Sequence, residues 1–287
     1  MKAKILDGKA CATKVKRRVK EEVSTLKSEE GILPNLVTIL VGDDLSSKIY
    51  LKKKHESCSE VGIESRSIQL PKDSTQDQVI EVLDELNRNK EINGILVQLP
   101  LPKQISPEKV IETISPTKDV DGLTPYNVWQ ALYKKDTLLP CTPKGIVNLL
   151  QYNGISIAGE NAVILGRSNL VGKPLQLLLT NLDATVTLCH SSTKNLTEQT
   201  RRADILVAAV GSRPDFIVAA DMIKEGAVVV DVGMNMIEGT LCGDVDFKAA
   251  ASKASYITPV PGGVGPMTVA TLLENVLKAT VLQTKRT

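Results

Sequence analysis

Four residues have the types and spacing to carry chemistry: Tyr50, Lys54, Gln98 and Asp121. Tyr50 and Lys54 stand in i, i+4 register, so a helix through them presents both on one face. A tyrosine stacks on a flat substrate, and a lysine screened from water drops its pKa far enough to exchange protons near neutrality. The opposing reading is that Lys52-Lys53-Lys54 is a charge run on a solvated helix face. Gln98 interrupts the apolar run Gly94 to Leu99 just ahead of Pro100 and Pro102. A buried glutamine needs partners, and at a strand end those are a ligand or a lysine. Asp121, between Val120 and Gly122, either fixes a heterocycle by accepting from an amide-like N–H pair or shapes an Asp-Gly turn.

A second kind of chemistry belongs to Asn161 to Pro174, NAVILGRSNLVGKP. An apolar run ends at Gly166, passes a polar turn and restarts at Gly172 as a leucine-patterned helix with Pro174 in its first turn. The free N–H groups and positive dipole end of such a helix suit a phosphate. A triphosphate-binding P-loop is excluded, because Gly166 and Gly172 are one residue too far apart and Pro174 takes the hydroxyl position. The dinucleotide fingerprint G-x-G-x-x-G also fails literally, which leaves a variant Rossmann turn or an ordinary strand-to-helix turn. After the next strand the chain reads Cys189-His190-Ser191-Ser192-Thr193-Lys194, without the acid that holds the ribose of NAD. Arg167, beside the phosphate turn, forks onto a 2′-phosphate or is a solvated loop arginine. Together these features favour NADP over NAD.

The elements that must position these residues alternate along the chain. An amphipathic helix is expected over Lys9 to Leu26, a buried strand over Leu36 to Val41, and further strands over Ser65 to Leu70 and Gly94 to Leu99. A helix capped by Ser46 or Ser47 runs to about Val61, and Thr75 with Gln78 forms a capping-box pattern. Residues 102–143 are turn-rich and hold the first domain boundary, after which Thr142 caps a helix with Pro143 in its first turn. Strands are then expected over 162–165, 185–188, 205–210, 227–232 and 255–258, with helices at 174–182, 196–202 and 219–224 between the first four. This is a doubly wound parallel sheet, with ligands above the carboxyl ends of its strands. Polar or glycine residues stand at those ends: Gly166-Arg167-Ser168, His190-Ser191, Gly211-Ser212 and Asp231-Val232-Gly233. A last helix follows PVPGGVGP.

Composition narrows the classes. A chain of 287 residues, 42% hydrophobic, buries one large core or two moderate ones. A net charge of +2 and 3% aromatics give neither the footprint nor the stacking platforms of a nucleic-acid binder. No apolar stretch reaches the length of a membrane span, and MKAKILDGKA lacks a signal-peptide core. Five scattered cysteines with only His55 and His190 argue against a metal site and for a reduced, cytoplasmic setting.

Six strings, in order and spread across nearly the whole chain, carry a resemblance. They are GILVQLPLP (94–102), KDVDGLTPYN (118–127), PCTPKG (140–145), GRSNLVGKP (166–174), GDVDF (243–247) and TPVPGGVGPMTVA (258–270). Together they resemble the bifunctional methylenetetrahydrofolate dehydrogenase/methenyltetrahydrofolate cyclohydrolase family. The resemblance implies two α/β domains around a cleft, the second a Rossmann-type doubly wound sheet. The substrate domain would span 1–140, with a terminal helix (267–287) packing back on it, and the NADP-binding domain 141–266. It implies a homodimer that oxidises 5,10-methylenetetrahydrofolate with NADP and hydrolyses the methenyl product to 10-formyltetrahydrofolate, in the one-carbon supply to purine biosynthesis. Lys54 would be the proton-transfer lysine, Gln98 would hold it, Tyr50 would stack on the aminobenzoate ring and Asp121 would anchor the pterin. Leu99, Pro261, Gly262 and Gly263 would line the substrate region. Gly166, Arg167, Ser168, Gly172, His190, Ser191 and Val232 would hold the cofactor. Leu51 and Glu56 depart from the family's Y-V-x-x-K-x-K, which leaves open a dehydrogenase with weak or absent cyclohydrolase activity, and Ser192 stands where a basic residue often follows His190-Ser191. A catalytically silent nucleotide-binding regulator is the reading from another class, and the four-residue set in the first half argues against it.

Overall fold

A computed structural model describes residues 3–284. In chain order, β1 (Lys4–Ile5) leads into α1 (Gly8–Glu30), β2 (Asn35–Val41), α2 (Leu45–Val61), β3 (Glu64–Leu70), α3 (Gln76–Arg88) and β4 (Gly94–Val97). Helices α4 (Pro107–Thr113), α5 (Pro125–Leu132) and α6 (Cys141–Tyr152) follow. Then come β5 (Asn161–Leu165), α7 (Gly172–Asn181), β6 (Thr185–Cys189), α8 (Leu196–Thr200), β7 (Ile205–Ala208) and β8 (Val228–Asp231). The hairpin β9 (Asn235–Ile237) and β10 (Thr240–Cys242), α9 (Phe247–Ala250), β11 (Tyr256–Ile257) and α10 (Val264–Thr284) complete the order. The chain divides into two compact units: Lys14–Cys141 with the chain from Val269 onward, and the chain up to Thr13 with Thr142–Thr268. Among the described residues, no helix is long and apolar enough to cross a membrane.

The first unit is built on a parallel three-stranded sheet, β3-β2-β4. The near-continuous apolar run of β2 fits a strand covered on both faces. Val37, Ile39, Ile95 and Val97 pack with Val79 and Leu83 of α3 in one core. The capping box at α3 forms as its residues predict, with Thr75 accepting from Gln78 N and Gln78 returning to Thr75 N. At α2 the cap is Asp44, whose carboxylate accepts from Ser47 N, rather than Ser46 or Ser47. An aspartate is as good a cap as serine, and the helix starts at Leu45, ahead of both serines. Two short helices occupy the turn-rich stretch. Their signals were Ser106-Pro107 and Thr124-Pro125, each a hydroxyl cap followed by a proline whose missing N–H costs nothing. Helix α10 starts at Val264, three residues earlier than expected, and the last three residues of the expected helix lie outside the described residues. Its later part is tied into this unit: Arg18 pairs with Glu274, Lys278 with Asp136, and Gln283 Nε2 donates to the carbonyls of Asn93 (2.8 Å) and Thr117 (3.0 Å).

The second unit is a six-stranded parallel sheet, β1-β11-β8-β7-β5-β6. Its core joins Val163, Leu165, Leu206, Ala208, Val229 and Ile257. Strand order reverses at β5, which is followed by β6 on one side and β7 on the other. Such a switch point opens a crevice at the carboxyl ends of the strands. The lead-in strand β1 pairs here, Lys4 with Tyr256 and Ile5 with Ile257, so the first residues go with the later sheet. Helix α6 begins at Cys141, and Thr142 lies inside it with its hydroxyl 3.1 Å from that of Thr268. The expected helix at 219–224 is a single 3-10 turn, Ala220–Met222. The antiparallel hairpin β9–β10 turns at Glu238 and Gly239, both in the left-handed region (φ +49° and +76°), as two-residue hairpins require.

Candidate active site

In the three-stranded unit the lysine run splits. Lys52 and Lys53 lie in solvent, and Lys52 pairs with Glu56 at 3.9 Å, whereas Lys54 is 6% exposed. Lys54 Nζ donates to Gln98 Oε1 at 3.1 Å and sits 4.7 Å from the centroid of the Tyr50 ring, within cation–π range. Gln98 is oriented for this task. Its Nε2 donates to the carbonyl of Leu99 (2.7 Å), which turns Oε1 toward the lysine. Burial holds Lys54 below the ordinary lysine range, while the charge of Asp121 pulls the other way. Burial, then Asp121, raises the Tyr50 phenol above its usual value, so it stays neutral. The arrangement is a lysine whose two protonation states lie closer in energy than in water, the condition for general acid–base work.

The loop carrying Asp121 is anchored by its neighbours. Lys118 is buried and donates to the carbonyls of Leu86 (2.9 Å), Asn87 (2.9 Å) and Asn89 (2.6 Å). Asp119 Oδ2 accepts from Thr124 N (2.8 Å) and Asn127 Nδ2 (2.9 Å). Gly122 adopts φ +69° and presses on Leu139, where a Cβ would stand 2.4 Å from the carbonyl carbon. Asp121-Gly122 is therefore a turn, yet the half-buried Asp121 carboxylate has no hydrogen-bond partner among the described residues. Lys118, Asp119 and Asn127 escaped the sequence reading; their signal was the density of polar residues in KDVDGLTPYN.

In the six-stranded unit, Gly166 (φ +110°) ends β5 and Gly172 opens α7. A Cβ on Gly166 would lie 2.1 Å from the Ala209 carbonyl oxygen, and one on Gly172 would lie 1.9 Å from that of Gly166. The two glycines thus serve a close backbone approach, which the sequence pattern left open. Val171, the N-cap of α7, makes no side-chain cap. Lys173 N donates to Ser168 O (3.1 Å) and Pro174 has no N–H, so among the described residues Gly172 alone of the first three helical positions offers an amide. Ser168 Oγ accepts from Val171 N at 3.1 Å, and Lys173 Nζ donates to Asn169 Oδ1 at 2.7 Å. Arg167, Ser168 and Ser191 are exposed beside this turn. His190 Nδ1 accepts from Ser192 N at 3.2 Å, which shapes the loop after β6, and Val232 N donates to the carbonyl of Ala208 at 2.8 Å. Gly262 (φ +112°) and Gly263 form a turn closed by Gly263 N donating to Pro259 O at 2.9 Å, with Pro261 exposed ahead of it. Gly8 of α1 abuts that turn, since a Cβ there would fall 1.7 Å from Gly263 O.

Behind the strand ends, Asp244 accepts from Val210 N (2.7 Å) and Gly211 N (3.0 Å). Asp231 Oδ1 accepts from Gly233 N (3.0 Å) and Asp244 N (2.9 Å), and its Oδ2 from Val245 N (3.0 Å). Burial pushes Asp231 up to about 6 against those donors. These carboxylates fix the loops after β7 and β8. The residues Gly166, Arg167, Ser168, Gly172, His190, Ser191, Val232, Pro261, Gly262 and Gly263 thus fall in one unit, and Tyr50, Lys54, Gln98, Leu99 and Asp121 in the other.

The family model for the tetrahydrofolate dehydrogenase/cyclohydrolase catalytic domain matches residues 6–121, and that for the family's NAD(P)-binding domain matches residues 140–284. The chain belongs to the tetrahydrofolate dehydrogenase/cyclohydrolase family. Among similar proteins is the bifunctional protein FolD of Halalkalibacterium halodurans, 52% identical over 97% of this chain and 99% of that protein. The bifunctional FolD methylenetetrahydrofolate dehydrogenase/cyclohydrolase of Campylobacter jejuni is 45% identical, with TM-score 0.94 over 99% of this chain and all (100%) of that one. The Trypanosoma brucei enzyme, solved with an NADP cofactor and inhibitor, is 37% identical, with TM-score 0.94 over 99% of each chain. In this family frame the lysine cluster lies within the catalytic-domain match and the glycine cradle within the NAD(P)-binding match.

Proposed function

We propose that the chain oxidises 5,10-methylenetetrahydrofolate with NADP and hydrolyses the resulting 5,10-methenyl cation to 10-formyltetrahydrofolate. The observation that carries this reading is the buried Lys54, held by Gln98, faced by the Tyr50 ring and acted on by the Asp121 charge. When bound, NADP takes the hydride from the one-carbon bridge. The chain's own groups do the rest. Tyr50 stacks on the aminobenzoate ring, Asp121 accepts from the pterin's amide-like N–H pair, and Leu99, Pro261, Gly262 and Gly263 line the substrate. The neutral Lys54 amine, held by Gln98, takes one proton from the water whose oxygen bonds to the methenyl carbon. The water's second proton passes to N5 as the carbon–N5 bond breaks, which leaves the formyl group on N10, and Lys54 then releases its proton to solvent. Gln98 acts throughout by keeping the amine in line.

The cradle fits a dinucleotide. Gly166 and Gly172 let the end of β5 and the start of α7 pack closely, and the Gly172 N–H, rather than Lys173 N (which donates to Ser168 O) or Pro174 (which has none), is offered to a pyrophosphate. Arg167, Ser168 and Ser191 hold the 2′-phosphate, and His190 and Val232 complete the lining. The missing acid after β6 and the NADP bound to the trypanosomal relative support NADP over NAD. Arg167→Ala is expected to weaken NADP binding by about 10- to 100-fold, the value of a charge-assisted contact, with a far smaller loss for NAD. Fluorescence titration with both cofactors checks it, and equal losses would remove the 2′-phosphate contact.

A homodimer is supported by Met236 of β9 and the adjoining Met234, apolar side chains that are 64% and 61% exposed. The free cysteines agree with a reducing, cytoplasmic setting, and the 10-formyl product suits formyl transfer in purine biosynthesis. The test is an assay with methylenetetrahydrofolate and each nicotinamide cofactor, following reduced cofactor and methenyl absorbance separately. Reduced cofactor should rise with NADP while the methenyl signal rises and decays. No reduction with either cofactor would overturn the reading, and methenyl product that accumulates without decay would remove its hydrolytic half.

A further inference from the structure

Asn275 lies on α10, far along the chain from the loop that bears Asp121, and it is fully buried. Its Nδ2 donates to the carbonyls of Val120 (2.9 Å) and Leu139 (2.8 Å) and stands 3.5 Å from Cys141 Sγ. The Val120 carbonyl shares a rigid peptide plane with the Asp121 N–H, so holding that oxygen holds the direction in which the next residue leaves the loop. Among the described residues the Cys141 thiol also donates to that oxygen, at 3.2 Å, and a thiol is a weak donor. The Leu139 carbonyl belongs to the segment on which Gly122 rests. One amide thus spans both sides of the turn, one hydrogen to each carbonyl. Helix packing by itself asks for no amide here, because Leu272, Leu273, Val276 and Ala279 already supply the apolar contacts of α10.

We propose that Asn275 is a positioning residue for Asp121: it clamps the Val120 and Leu139 carbonyls so that the one uncommitted carboxylate of the loop faces the substrate. This rests on the reading of Asp121 as the pterin contact. Asn275→Ala is expected to raise the KM for methylenetetrahydrofolate about tenfold while the Kd for NADP stays at the wild-type value. Introduced into Asp121→Ala, the same change is expected to add no further rise, since the clamp acts through the carboxylate. A wild-type KM in Asn275→Ala, or losses that multiply in the double variant, would overturn the proposal. If Asp121→Ala alone leaves KM unchanged, the pterin-contact reading itself falls, a result distinct from failure of the clamp. Should Asn275→Ala not fold, Asn275→Asp decides. Its protonated carboxyl donates to one carbonyl, and its ionised form repels both. Its KM relative to wild type should therefore climb between about pH 6 and about pH 9. A flat ratio would overturn the clamp, because loss of helix packing alone has no such pH profile.

Discussion

Lys54→Met is expected to slow hydrolysis of the methenyl carbon by about 10²- to 10⁴-fold, the usual worth of a positioned general acid–base. NADP should bind as in the wild type, since the glycine cradle lies in the other unit. Methionine has similar length and no charge, so the packing around α2 survives. Stability should rise rather than fall. Lys54 is buried and its pKa is depressed by that burial, so below its folded pKa the native state carries a poorly solvated ammonium. The sign follows from linkage. Between the depressed folded value and 10.5 the unfolded chain binds more protons, so wild-type stability grows with pH across that window. The advantage of methionine is therefore largest at low pH and shrinks as the pH climbs through it. Thermal unfolding at two pH values, alongside methenyl decay followed by absorbance, checks both halves. Near-wild-type hydrolysis would exclude Lys54 from the proton transfer.

Gly172→Ala is expected to lose hydride transfer and destabilise the protein together. The added Cβ would lie 1.9 Å from Gly166 O, 2.7 Å from its carbonyl carbon and 3.1 Å from Arg167 Cα, all backbone atoms. No side chain can swing aside, so either β5's end or the start of α7 must move. Overpacking of this kind costs about 1–3 kcal/mol. For a chain of this size that is a fall in Tm of about 2–4 °C per kcal/mol. The Gly172 N–H moves with the start of α7, so the Kd for NADP should rise more than about tenfold. Hydrolysis of methenyl substrate supplied directly should survive to a larger fraction. Unchanged NADP affinity in a folded Gly172→Ala protein would show that the close approach of the two glycines has no part in cofactor binding.

The sequence discloses most of the sheet and only part of the site, for a physical reason. Buried parallel strands such as Leu36 to Val41 and Ala162 to Leu165 announce themselves as continuous apolar runs, because both faces are covered. Lys54 offers no such local sign. Inside Lys52-Lys53-Lys54 it looks solvated, and its burial is set by partners such as Gln98, 44 residues away. The apolar break at Gln98 was the better clue, since a polar side chain among strand residues demands a partner. Asp44 went unnoticed as a cap because two serines stood closer to the helical pattern. Asn275 was invisible, since an asparagine in an otherwise apolar helix carries no hint of which carbonyls it will meet.

The links between distant parts of the chain have a consequence for how the protein is made. Val120 emerges from the ribosome well before Asn275, which lies 155 residues later, and Lys4 must wait for Tyr256 to complete the edge of its sheet. The six-stranded unit is not finished until Tyr256 has been translated, nor the three-stranded unit until Asn275 has been. A nascent chain stalled short of α10 therefore holds every residue proposed to touch folate and still has no settled place to put it.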